Sequence, residues 1–161
     1  MPATKVAVVA IDPCGLLLVD EVAAVQGTKM QPGKMSSSNE GSFRLAQCFF
    51  PAEEPSQSVN LALTQRNPDN PKLSPKEFWY EKFHRTPEAD SEPAEDEGEK
   101  RAPRPIVGIG DEAYWMGRDA LYVLRGDLFF RISIGGRATV EEKIATAKTL
   151  ATKVLARLPR H

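Results

Sequence analysis

The stretch "ALYVLRGDLFFRISIGG", Ala120 to Gly136, restricts this chain more than any other segment. Leu128, Phe130, Ile132 and Ile134 alternate with Phe129, Arg131 and Ser133, so a strand here carries one strongly apolar face. "ALYVL" (Ala120 to Leu124) before "RGD" predicts the other arm of a hairpin, and Gly135 and Gly136 end it. A lone hairpin is marginal in water, so that face has to be covered. The following residues supply a cover. Thr139 and Glu142 form a capping box, and Val140, Ile144, Ala147, Ala151, Val154 and Leu158 draw an apolar helical stripe that Pro159 stops.

The first half has a similar order. Asp12 caps and Pro13 opens one or two short helices through "CGLLLVDEVAAVQG", ending at Gly27. Thr28 to Ser42, rich in Ser, Gly and Pro, predicts a long loop. "FRLAQCFF" (Phe43 to Phe50) and "VNLALT" (Val59 to Thr64) read as strands. Ser74, Pro75 and Glu77 then start a helix whose Trp79 and Phe83 lie one turn apart. In the second half, Asp111 predicts a short helical turn through Trp115 ahead of the hairpin. "TPEADSEPAEDEGEKRAPRP" (Thr86 to Pro105) has no large apolar residue and reads as a flexible acidic linker.

The expected fold is therefore α+β: one domain over residues 1–161, with halves at 12–85 and 106–158 joined by the linker at 86–105. Each half reads as short helix, strand, strand, capped helix, which predicts an internal duplication. Joining the strands predicts an antiparallel sheet of four or more strands with helices packed on one face. Val6 to Ile11 would add an edge strand.

With 161 residues, 41% apolar and 27% charged, the chain can bury a substantial core. A net charge of -1 argues against a nucleic-acid partner, and no apolar run is long enough for a transmembrane segment. No intact signal peptide is visible, so an exported form would have lost its signal; a cytoplasmic protein is the alternative. Cys14 and Cys48 stand 34 residues apart, and their number leaves a bridge and two thiols both open.

Several motifs invite functional readings. Gly108, Gly110 and Ala113 match dinucleotide-loop spacing, but a proline-rich acidic stretch precedes them and a hairpin follows. A tight turn is the better reading, and no cofactor is expected. "RGD" (Arg125 to Asp127) reads as a hairpin turn rather than an adhesion tripeptide. Met30 and Met35 lack a neighbouring Cys or His that would complete a metal site. They do border, through the Thr28 to Ser42 loop, a groove expected near Tyr114 and Trp115. These four are the candidate ligand-binding residues. A catalytic alternative sets Cys14, at a helix start, beside His84 as base. Asp20/Glu21 and Asp111/Glu112 read as helix-opening carboxylates, and Glu53/Glu54 as exposed turn residues.

"DPCGLL" (Asp12 to Leu17), "EVAAVQG", a second cysteine in the first strand and "VGIGDEAYW" (Val107 to Trp115) together resemble a family of small bacterial cell-envelope proteins and lipoproteins whose function is uncharacterised. The resemblance implies export, a disulfide pairing Cys14 with Cys48 and a duplicated α+β domain; it implies no catalytic residues. Val19, where a capping Ser or Thr is expected, and the long acidic linker depart from that pattern. The expectation is a non-enzymatic domain that binds an envelope protein or a small ligand. The alternatives are the Cys14/His84 thiol enzyme and a purely structural or assembly module.

Overall fold

The computed structural model describes residues 10–84 and 103–158. Its elements run α1 (Val19–Gln26), β1 (Lys34–Glu40), β2 (Phe43–Phe50), β3 (Val59–Arg66), α2 (Pro75–Phe83), β4 (Arg104–Pro105), β5 (Glu112–Met116), β6 (Ala120–Arg125), β7 (Leu128–Ile134) and α3 (Val140–Arg157), with single 3-10 turns at Pro13–Gly15 and Pro55–Gln57. The strands form one antiparallel sheet in the order β1-β2-β3-β7-β6-β5-β4, so β3 and β7 join the two halves at its centre.

Register sorts the strand residues onto two faces. Leu61 pairs with Ile132 and Leu63 with Phe130, and these share a face with Cys48, Leu121, Val123 and Trp115. Here Ile144, Ala147, Leu150, Ala151 and Val154 of α3 and Val22 of α1 complete the main core. Arg157 locks the two helices together, donating to the Leu16 carbonyl and, from Nη1 and Nη2, to Glu21 at 2.7 Å each. Glu21 also accepts from the Leu18 amide, which opens α1 without a Ser or Thr cap. The Ser74/Glu77 and Thr139/Glu142 capping boxes form as their spacing predicts.

Three expectations need correction and one is not confirmed. Within the predicted Thr28 to Ser42 loop, Lys34–Glu40 is strand β1; it is exposed throughout, so its side chains carry no buried periodicity that could announce a strand. Asp111 to Trp115 is not a helical turn. Glu112–Met116 is strand β5, paired with β6, and Asp111 instead accepts from the Gly126 amide at 2.7 Å in the next turn. Pairing to an existing hairpin outweighs the weak helical preference of so short a segment. The second half thus has no counterpart of α1, and the expected duplication is not confirmed. Finally, α1 and α3 share one face of the sheet, while α2 packs on the other through Trp79 against Leu124 and Phe129.

Residues 1–9, which hold most of the proposed Val6 to Ile11 strand, lie outside the described residues, as do most of the linker and Pro159. Arg104–Pro105, at the end of the predicted linker, is β4.

Candidate functional site

The sheet face that carries α2 is only partly covered. At one corner Trp79, Phe83, Tyr114, Tyr122 and Phe129 make an aromatic cluster, with Phe83 stacked on Tyr114 at 4.5 Å between ring centres. Glu112 anchors it, accepting from Trp79 Nε1 and facing His84 Nε2, both at 2.8 Å. Burial pushes the Glu112 carboxyl up, but the His84 and Trp79 hydrogen bonds outweigh it and hold the group below its ordinary value. Burial, then the neighbouring Glu112 charge, raises the Tyr114 phenol.

The rest of this face is a concavity of about 520 Å³ over β1, β2, β3 and β7, with Ser36, Leu45, Gln47, Thr64, Phe129 and Arg131 in its wall. A polar ladder crosses three strands beside it: Asn60 Nδ2 donates to Gln47 Oε1 at 3.0 Å, and Gln47 Nε2 to Ser36 Oγ at 3.3 Å. Arg131, on a central strand, has its Nε enclosed without a hydrogen-bond partner, as is Asn60 Oδ1. Arg131 forms no ion pair among the described residues. A desolvated guanidinium nitrogen without an acceptor is costly, and an anionic group in the concavity would relieve that cost. Mixed apolar and polar walls suit a ligand that combines an acid with an apolar body.

The expected groove is not assembled. Tyr114 and Trp115 are neighbours on β5 and point to opposite faces; Trp115 is 3% exposed in the main core. Met30 is buried beside Ala52, and Met35 lies exposed on β1 opposite Cys48. Four strands separate β1 from β5, so the methionines and Tyr114 do not meet. Arg131 was the residue missed. Its signal was the one charge in a largely apolar strand, but only the sheet order shows what lies opposite it.

Cys14 and Cys48 are bonded in a disulfide, with Cα atoms 5.1 Å apart. That removes the thiol of the proposed Cys14/His84 pair, and His84 belongs to the opposite sheet face with Glu112. Among the described residues no cluster of three or more His, Cys, Asp or Glu could hold a metal, and no helix is long and apolar enough to cross a membrane. Gly108 and Gly110 form the expected turn. Gly110 has φ 60°, and a Cβ there would meet Val123 Cγ1 at 2.6 Å, which requires glycine. "RGD" is the β6–β7 turn: Asp127 pairs with Arg66 at 2.8 Å, and Arg125 donates to the Leu155 carbonyl. Comparison with family models, with curated proteins and with solved structures gave no match.

Proposed function

We propose that this chain is an exported, disulfide-bonded, non-catalytic domain of the bacterial cell envelope that binds an acid-bearing ligand or partner on its open sheet face. The observation that carries the binding reading is Arg131: a cation on a central strand, its Nε enclosed and unpartnered, beside a concavity of ligand size. Export is supported by the disulfide, because such bridges persist in oxidising compartments. The envelope assignment follows from the sequence resemblance of "DPCGLL" and "VGIGDEAYW".

The test compares octanoate and benzoate with their uncharged amides in thermal-shift and NMR titrations of wild type and Arg131→Met. The expected result is that the carboxylates stabilise wild type, the amides do not, and the variant stays folded but unresponsive. Equal responses from both proteins, or none from either, would reject the site and favour a structural module. Alkylation and intact mass of protein recovered from the periplasm should show both cysteines labelled only after reduction.

A further inference from the structure

We infer that a second pocket, on the other face of the sheet, binds a polyvalent oxyanion of the phosphate class. It lies between the β5–β6 turn, the β7–α3 connection and the start of α3, is a solvent-open pocket of about 540 Å³, and is lined by Arg104, Trp115, Arg118, Arg137, Thr139 and Lys143. Arg104 is already engaged, its guanidinium donating to Glu141 at 2.8 and 3.3 Å. The side chains of Arg118, Arg137 and Lys143 have no hydrogen-bond or ion-pair partner among the described residues. Three unneutralised cations around one cavity repel one another, and an anion placed among them converts that repulsion into attraction.

The nearby carboxylates do not fill this role. Glu141 is held by Arg104, and Glu142 accepts from the Thr139 amide while Thr139 Oγ1 accepts from the Glu142 amide. The start of α3 is therefore capped from within, so the cations and not the helix end supply the attraction. Trp115 adds an independent sign. It is 3% exposed, it is one of the residues lining the pocket, and its Nε1 has no hydrogen-bond partner. A buried N–H donor without a partner is costly, and a ligand oxygen reaching it would relieve that cost. Gly117 (φ 65°) and Gly136 (φ 115°) let the two connections turn back around the cavity.

The charge count selects the ligand class. A single carboxylate would neutralise one of three cations, whereas a phosphate monoester or pyrophosphate brings two or more charges and oxygens that match the arginine fork. The inference is independent of the open-face site: Arg131 projects from the opposite face of the sheet to Trp115.

The experiment titrates the full chain with inorganic pyrophosphate, followed by calorimetry and by the Trp115 indole N–H resonance. The expected result is saturable binding that moves this resonance, weakens with added salt, and falls about tenfold or more in the Arg118→Gln/Arg137→Gln double variant and in Lys143→Gln. Arg131→Met should bind as wild type does. Phosphatidylcholine vesicles with and without phosphatidic acid separate the sources of the phosphate. Sedimentation with phosphatidic acid that pyrophosphate reverses identifies a lipid headgroup, and pyrophosphate binding without sedimentation identifies a soluble ligand. Failure of wild type to bind either probe, an unmoved indole resonance, or undiminished binding by folded variants would overturn the assignment.

Discussion

Replacing both cysteines, Cys14→Ala/Cys48→Ala, should cost this fold a large part of its stability. The bridge closes a loop with a sequence separation of 34 and ties the turn before α1 to a fully buried position on β2. Chain-entropy reasoning assigns a loop of this length about 4 kcal/mol, through the freedom it removes from the unfolded chain. At about 2 to 4 °C per kcal/mol for a chain of this size, the midpoint of thermal unfolding should fall by roughly 8 to 15 °C. Urea unfolding of wild type, reduced wild type and the double variant measures the loss directly, with intact mass after alkylation confirming the redox state. The Arg157 contacts to Leu16 and Glu21 remain in the variant, so α1 should stay docked and the global transition should stay cooperative. A double variant within about 1 kcal/mol of wild type would refute the reasoning, because the bridge would then constrain little that the core does not already hold.

Three other perturbations follow from particular contacts. Gly33→Ala places a methyl group into Cys48 Sγ, with Phe50 Cε1 at 3.0 Å and Cys14 Sγ at 3.2 Å; it should destabilise by about 1 to 3 kcal/mol and slow bridge formation, read by urea unfolding and by the rate of thiol loss on reoxidation. Hydrogen bonding from Arg157, opposed by burial and aided by the Leu18 amide, lowers Glu21 from 4.5 to about 2. A depressed folded-state value means its stabilisation is complete above pH 4.5 and is lost as pH falls towards 2; discounted for the partly exposed Arg157, about 1 to 2 kcal/mol should disappear over that window in wild type and not in Glu21→Gln. Glu112→Ala leaves the buried Trp79 Nε1 without its acceptor and should cost about 1 to 3 kcal/mol, with a change in near-ultraviolet circular dichroism; an unchanged spectrum and stability would show that the aromatic corner does not depend on this carboxylate.

The elements that could be read ahead of the structure share a feature: their pattern is local. The alternation in Leu128–Ile134, the stripe of α3 and both capping boxes are each written within a single strand or helix and its cap, and all appear in the fold. The elements that were misread depend on neighbours distant in sequence. β1 is a strand because β2 presents it with free backbone groups, and its "KMSSSNE" contains nothing that a buried face would require. β5 is a strand because β6 pairs with it along Glu112–Met116, although an aspartate stands where a helix cap would.

The same division applies to the candidate sites. Composition, charge and patterning alone determined an α+β chain with an antiparallel sheet, the hairpin turn at "RGD" and the absence of a dinucleotide-loop context, since these rest on periodicity and turn chemistry. Whether Cys14 and Cys48 met, that Tyr114 and Trp115 face opposite ways, and that Arg131 stands unpaired beside a concavity were decided only by tertiary structure. The physical reason is that sites form across strands. Ser36, Gln47, Asn60 and Arg131 come from four different strands, and sheet order and register place them on one face.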